Sequence, residues 1–317
     1  MNKLKILISD KISEKGIDII RTLFQVDIKP GLTETELIDI IKNYDALIVR
    51  SETNVTSNII HVANRLKIIG RAGVGVDNID VGAATKKGII VVNSPEGNTI
   101  AAAEHSFAMM LAITRNIPNA HNSIQKGEWN RGLFTGIELY GKTLGVVGLG
   151  KIGQRVSKYA LGMGMNVIGY DPYINSGLST KVGINTIKLD ELLRNADIIT
   201  FHIPLTNETT NLIDKKKFNI MKTGVFIVNC ARGGIIVEKD LRDAVVNGKV
   251  SGAAVDVFSN EPIKKDNVLL GLDRIITTPH IGAATKEAKI NVAIDVAEQV
   301  RDVLLGGVAR SAVNTPN

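Results

Sequence analysis

The chain is predicted to be an α/β protein built from two doubly wound parallel-sheet domains, and three observations predict it. Over the first hundred residues, short β-branched runs alternate with segments of helical periodicity. A second alternation of the same kind begins at Lys142. Near its head, the glycine-rich turn Gly148-Leu149-Gly150-Lys151-Ile152-Gly153 follows one apolar run and opens a helix-like segment.

In the first series, strands are expected at 4–8, 25–28, 46–49, 66–69 and 89–92. Helices are expected between them at 14–23, 33–43, 57–63 and 81–87. Thr33 with Glu36 forms a capping box ahead of Leu37, Ile40 and Ile41, which fixes one helix start. A single long helix over 98–126 is expected to connect the two series; Glu104, His105 and Arg115 make it unfit for a membrane. The second series has six expected strands, at 143–147, 166–170, 198–202, 225–229, 252–257 and 275–278. A last helix over 285–305 has an apolar face of Ala288, Val292, Val296 and Val300, and the tail 310–317 is expected to be loosely held.

Bulk properties narrow the class. A chain of 317 residues has room for two cores, and 44% hydrophobic with 22% charged residues is ordinary for a soluble protein. No apolar run reaches the roughly 18 residues of a membrane span. The first ten residues are too soon interrupted by charge for a secretory signal. Cys230 is the only cysteine, so an intrachain disulfide and a cysteine-based zinc cluster are excluded and no metal is expected; the default location is cytoplasmic. The net charge of +6 invites a nucleic-acid reading. The lysines are scattered, however, as in Lys86-Lys87 and Lys215-Lys216-Lys217, and the 4% of aromatic residues are not interleaved with them. The surplus suits attraction of a small anion.

The glycine turn points to a dinucleotide. Gly148 permits the tight turn, Gly150 lets a pyrophosphate approach the backbone, and Gly153 lets the helix pack on the strand. The helix N-terminus then offers unpaired N–H groups to phosphates. Asp171 ends the following apolar run, eighteen residues beyond Gly153. There its carboxylate can accept from ribose hydroxyls and would repel a 2′-phosphate, so NAD is favoured over NADP. A turn-capping role before Pro172 is the alternative.

Three further motifs follow: Asn229-Cys230-Ala231-Arg232-Gly233-Gly234, Asp256-Val257-Phe258-Ser259-Asn260-Glu261-Pro262 and Thr278-Pro279-His280-Ile281-Gly282. The first half adds Ala46-Leu47-Ile48-Val49-Arg50-Ser51 and Gly70-Arg71-Ala72-Gly73-Val74-Gly75-Val76-Asp77-Asn78. Together they resemble the D-isomer-specific 2-hydroxyacid dehydrogenases over nearly the whole chain, and most of all the branch that acts on a phosphorylated substrate. The resemblance implies a Rossmann NAD domain, 98–283, inserted into a flavodoxin-like substrate domain made of 1–97 and 284–317. It implies a substrate cleft between them and a homodimer or homotetramer formed through the NAD domain. The expected reaction is oxidation of D-3-phosphoglycerate to 3-phosphohydroxypyruvate, the first step of phosphorylated serine biosynthesis.

The chemistry is intelligible from the residues. Oxidising a secondary alcohol needs hydride removal and a base for the proton; His280 is the natural base, and Glu261 would hold its second ring nitrogen. Arg232 offers a permanently charged fork to a substrate carboxylate. The resemblance assigns these same roles. For the cofactor it adds Lys151, Ile152, Ile203, Pro204, Cys230, Ala231, Asp256 near the carboxamide, Gly282 and Ala283. For the substrate it adds Arg50, Ser51, Arg71 and Arg131, with the Gly73-Val74-Gly75 backbone cradling the carboxylate. Relatives often carry threonine where this chain has Val74 and Ile203, so only backbone contacts are expected there. His61 and His121 are given no role, His105 a structural contact, His202 a place lining the cofactor pocket, and Cys230 no nucleophilic part. A glyoxylate or hydroxypyruvate reductase is the nearest rival. An NAD-sensing corepressor is a rival of another class. The expected short form, without a regulatory extension, predicts no serine inhibition.

Overall fold

The computed structural model describes residues 3–173 and 184–316. The chain divides into two compact units, Met1–Thr99 with Ala283–Asn317, and Ile100–Gly282.

In the first unit, five parallel strands run β1 (Lys5–Ile8), β2 (Gln25–Ile28), β3 (Ala46–Val49), β4 (Ile68–Arg71) and β5 (Ile90–Asn93). Their order in the sheet is β2-β1-β3-β4-β5. The helices α1 (Glu14–Arg21), α2 (Glu34–Ile41), α3 (Ser57–Val62) and α4 (Val81–Lys86) make the crossovers. Strand alternation sends Leu47 and Val49 into a core with Leu37, Ile41 and Ile59 on one face. Ile6, Ile8, Ala46 and Ile48 enter a second core on the other face.

The C-terminal helix (Lys286–Leu304) completes that second core with Val292, Val296 and Val300, each side chain contributing roughly 1.5–3 kcal/mol by leaving water. Thr285 caps its N-terminus through the Ala288 amide at 3.1 Å. Two glycines let it approach. A Cβ on Gly70 would lie 2.5 Å from Val296 Cγ1, and one on Gly16 would lie 2.5 Å from the Ala293 carbonyl oxygen.

The second unit opens with α5 (Thr99–Thr114), α6 (Ile117–Gln125) and a 3-10 turn (Arg131–Phe134). Its sheet comprises β6 (Thr143–Val147), β7 (Asn166–Tyr170), β8 (Asn185–Thr186), β9 (Ile198–Phe201), β10 (Val225–Asn229), β11 (Val250–Val255) and β12 (Ile275–Thr277). The helices α7 (Lys151–Gly162), α8 (Leu189–Asn195), α9 (Lys215–Ile220) and α10 (Glu238–Val246) alternate with them. All pairings are parallel, in the order β12-β11-β10-β9-β6-β7-β8. The chain therefore steps outward from β6 in both directions, and the strand order reverses between β6 and β9, where open sheets form a crevice. No helix among the described residues is long and apolar enough to cross a membrane.

Four local expectations are corrected. The segment 98–126 is two helices, because Asn116 adopts a left-handed φ of 55° and Pro118 occupies the first turn of α6. The second sheet has a seventh strand, β8, whose two residues at the sheet edge are too short to show periodicity. β4 runs two residues later than expected, so that Arg71 closes the strand. The tail is held rather than loose. Ala312 bridges Val92, Asn314 accepts from the Val91 amide at 2.8 Å, and Arg310 pairs with Glu298 and Asp295. A side-chain amide that reads the exposed edge of β5 is invisible to hydrophobic patterning.

Candidate active site

One edge of the second sheet carries nearly all the chemistry. Gly148, Asp171, His202, Cys230, Asp256 and Thr278 each stand immediately after the last residue of a strand, namely β6, β7, β9, β10, β11 and β12. Parallel strands of matched register align these residues along the C-terminal edge, where loops are free to vary while the sheet stays rigid.

The glycine turn fits a dinucleotide closely. Gly148 has a φ of +97°, and a Cβ there would lie 2.5 Å from the His202 carbonyl oxygen across the β6/β9 crevice. Gly153 must be bare, because its Cβ would sit 1.9 Å from the Gly148 carbonyl oxygen. Gly150 differs. A Cβ there would meet nothing within 4 Å, so its bareness serves space outside the protein's own packing, as a pyrophosphate requires. Gly150 is the N-cap of α7, and Lys151 and Ile152 form its first turn.

Asp171 does two things. Its Oδ2 accepts from the Leu149 amide at 2.8 Å and its Oδ1 from the Tyr173 amide at 2.9 Å. The turn-capping role is therefore present, and the same carboxylate ties β7 to the glycine turn. Each oxygen keeps a lone pair, so acceptance from ribose hydroxyls is compatible with both bonds.

Behind the crevice, burial pushes the His202 imidazole down to about 3, and its Nε2 lies 3.0 Å from Thr200 Oγ1. It is neutral at working pH and lines the crevice, followed by half-buried Ile203 and exposed Pro204. Burial, with the nearby Asp256 charge, raises the Cys230 thiol to about 12. Such a thiol is no nucleophile.

Arg232 sits on a turn built by a residue whose role the sequence reading missed. Asn229 is buried; its Oδ1 accepts from the Ala231 amide at 3.1 Å and its Nδ2 donates to the Arg232 carbonyl at 2.9 Å. Arg232 Nη1 donates to the Ala231 carbonyl at 2.7 Å. Gly233 then passes against the Phe258–Ser259 backbone, where a Cβ would come within 1.9 Å of the Phe258 carbonyl oxygen. That contact brings the Arg232 turn beside the loop leading to Glu261. A polar residue closing the apolar run of β10 was the available signal.

His280 Nδ1 lies 2.6 Å from Glu261 Oε2, and Glu261 Oε1 accepts from the Phe258 amide at 2.9 Å. Burial works to raise the Glu261 carboxyl, but the hydrogen bonds from His280 and Phe258 outweigh it and hold the pKa below the usual value. With Nδ1 engaged by the carboxylate, Nε2 is the ring nitrogen left for a substrate proton. His280 itself has a left-handed φ of 52°, a conformation that costs a non-glycine residue about 1–3 kcal/mol. Its amide N–H reaches the Asp256 carbonyl at 2.8 Å and the Thr278 carbonyl at 3.0 Å.

Asp256 is buried completely, and its visible job is to hold this turn. Oδ1 accepts from Thr278 Oγ1 at 2.5 Å and the Ile281 amide at 2.9 Å; Oδ2 accepts from the Gly282 amide at 2.8 Å. His105 Nε2 lies 3.3 Å from Oδ1, giving the expected structural contact a definite partner. Burial raises this carboxyl, yet bonds from His105, Thr278 and Ile281 together leave its pKa lowered. Ala283 is the first residue of the segment returning to the first unit.

The remaining expected residues are placed as follows. In the first unit, Arg50 follows β3 and Arg71 ends β4. Buried Asp10 builds the Arg50 loop, accepting from the Arg50 amide at 2.5 Å and from Thr53 Oγ1 at 2.5 Å. Asn78 Nδ2 donates to the Arg50 and Thr53 carbonyls at 2.7 and 2.6 Å; Ser51 is exposed within this loop. The Arg71 guanidinium lies over Gly73, where a Cβ would meet Nη1 at 1.5 Å, and the Val74 carbonyl before Gly75 accepts from Asn93. Arg131 is not brought to the catalytic edge of its own unit. It opens the exposed 3-10 turn whose Leu133 and Phe134 line a hollow with Lys142 and Val225, at the opposite ends of the strands.

Residues 107–282 match the model of the D-isomer specific 2-hydroxyacid dehydrogenase NAD binding domain. The chain belongs to this family. It is 55% identical over 312 residues to a D-3-phosphoglycerate dehydrogenase of Synechocystis sp., covering 98% of this chain and 56% of that one. It is 52% identical over 315 residues to the enzyme of that name from Methanocaldococcus jannaschii, covering 99% and 60%. The chain thus spans less than two thirds of the length of these curated relatives. The structure of a D-lactate dehydrogenase from Aquifex aeolicus, complexed with NAD and lactic acid, superposes with a TM-score of 0.88 at 28% identity, covering 98% of this chain and 100% of that one. As a family member the chain carries an NAD-binding domain, and the residues lining the β6/β9 crevice fit that cofactor.

Proposed function

We propose that the chain oxidises D-3-phosphoglycerate to 3-phosphohydroxypyruvate with NAD, in the cytoplasm. The observation that carries the reading is the 2.6 Å bond between Glu261 and His280 Nδ1, which orients a base with its second nitrogen available. When bound, NAD supplies the hydride acceptor. As the hydride leaves the substrate carbon, His280 Nε2 takes the hydroxyl proton, the C=O bond forms, and Glu261 stabilises the resulting imidazolium. Arg232 binds the substrate carboxylate and polarises the reacting oxygen. Arg50 and Arg71 provide cations for the phosphate, and the Gly73–Gly75 backbone provides amides for the carboxylate. Ile203, Pro204, Cys230, Ala231, Gly282 and Ala283 line the cofactor.

The phosphate preference draws support from the relatives named above. The test of the catalytic set is turnover with NAD affinity measured alongside. His280→Ala and Arg232→Ala should each cost about a thousandfold or more in kcat/KM while NAD still binds. Retention of turnover within tenfold in both variants would remove these residues from the mechanism.

We also propose a homodimer, or a homotetramer containing it, formed through the second unit. Residues 117–140 expose Ile117, Ile124, Trp129, Leu133 and Tyr140, the last three more than 70% accessible. Large apolar side chains so exposed along one segment suit a second copy of the chain. Sedimentation at a monomer mass at micromolar concentration would overturn this reading.

A further inference from the structure

We propose that His105, from α5, is a positioning residue that anchors the buried Asp256 carboxylate and through it the turn bearing His280. Its consequence for turnover rests on the dehydrogenase reading; the geometry does not.

The argument starts from donors. Thr278 Oγ1 donates to Asp256 Oδ1 at 2.5 Å, so toward His105 it presents a lone pair. His105 Nε2 faces both oxygens, at 3.4 Å from Thr278 Oγ1 and 3.3 Å from Asp256 Oδ1. A bare ring nitrogen there would oppose two acceptors, so the contact requires Nε2 to carry the proton. Asp256 is buried completely and His105 is 17% exposed, so water is a poor substitute for that donor.

The rest of the network shows what the donor secures. The other groups on the carboxylate are the Thr278 hydroxyl and the Ile281 and Gly282 amides, all from the turn around His280. His105 alone of these comes from a distant element, so it ties the turn to the body of the unit. α5 begins where the chain leaves the first unit, and Gly282 is the last residue before the chain returns to it. The Asp256 network therefore gathers both crossing segments within the second unit. Without the His105 donor, the buried carboxylate loses its contact with α5 and keeps only donors of the turn itself. The Ile281 and Gly282 amides and the left-handed His280 between Thr278 and Ile281 are then held less firmly. An apolar side chain of equal volume would fill the same space and do none of this.

The test compares the full chain with His105→Leu and His105→Gln, the latter retaining an N–H donor at similar reach. Amide hydrogen exchange is followed by mass spectrometry on the peptide covering 278–283. NAD affinity and kcat are measured beside it. The expected result for His105→Leu is exchange at least about tenfold faster in that peptide and kcat about tenfold lower, with NAD affinity changed less than threefold. His105→Gln should recover most of both losses. Unchanged exchange in the Leu variant, or a Gln variant as impaired as Leu, overturns the proposal. Should His105→Leu not fold, Thr278→Val removes another donor to the same oxygen and must raise exchange in the same peptide; no rise overturns the network. If the wild-type chain oxidises no 2-hydroxy acid, the dehydrogenase reading fails, and the exchange result alone judges His105.

Discussion

Asp10 in the first unit and Asp256 in the second are both buried carboxylates just beyond the C-terminal end of a parallel strand, and both hold a loop bearing a residue assigned to the site. They are wired differently. The hydrogen bonds to Asp10 come from the Arg50 amide and from Thr53, within the one loop it supports. Asp256 takes donors from the turn it supports and also from His105 on α5. The first arrangement shapes a loop that presents a cation, whose charge tolerates some movement. The second fixes an imidazole in a left-handed backbone conformation, where a small misplacement costs rate. The two carboxylates thus differ in reach: Asp256 itself meets a side chain from a second element, whereas Asp10 does not and the Arg50 loop takes its further support from Asn78.

The sharpest way to break this comparison is to neutralise each aspartate. Asp256→Asn should lower kcat about a hundredfold, since the amide nitrogen cannot accept from Ile281 or Gly282 and the turn loses half its support. Asp10→Asn should act mainly on KM for the phosphorylated substrate, by about tenfold, with kcat little changed. Steady-state kinetics on both variants check this; a kcat loss of equal size in the two would erase the distinction. Arg50→Ala should weaken phosphorylated substrate by about tenfold and leave a phosphate-free hydroxy acid unaffected. Equal losses on the two substrates would take Arg50 out of phosphate recognition.

Smaller effects follow from the titrating groups. The Glu261 pKa in the folded chain lies below its ordinary value of 4.5, so its bond to His280 contributes stability above that pH. The contribution is lost as pH falls through the lowered folded value. The stabilising difference in melting temperature between wild type and Glu261→Gln should therefore persist undiminished from pH 8 down to about 5 and shrink only below 4.5. A difference that already shrinks near pH 6 would contradict the assignment. The smallest effect is expected at Cys230, whose thiol stands near 12 against an ordinary 9. Iodoacetamide at pH 8 should label the native chain about a thousandfold more slowly than the unfolded one, leaving turnover intact.

Much of this was legible in the sequence, for physical reasons that can be named. All the strands but the short edge strand β8 announce themselves, because parallel strands covered on both faces are largely continuous apolar runs, as in Ala46-Leu47-Ile48-Val49. The glycine turn was legible because steric demands restrict Gly148 and Gly153 to glycine. Arg232, Glu261 and His280 lay within motifs long enough to carry a family resemblance. What escaped was whatever depends on a single polar group finding a distant partner. Asn116 breaks the long helix through its own backbone angle, and Asn314 pins the tail by reading the edge of β5. Asn229 builds the Arg232 turn from inside the core, and His105 meets Asp256 across 151 positions of chain. Neither periodicity nor motif spacing encodes such contacts.

The central claim is that this chain couples NAD to a phosphorylated 2-hydroxy acid, and one rate comparison tests it most directly. NADH formation by the full chain is measured with D-3-phosphoglycerate and with D-glycerate, which differs only in lacking the phosphate. The prediction is kcat/KM at least about a hundredfold higher for the phosphorylated acid, the combined contribution of two charge-assisted contacts. Equal rates on the two, or faster reduction of glyoxylate and hydroxypyruvate than of 3-phosphohydroxypyruvate, would contradict it.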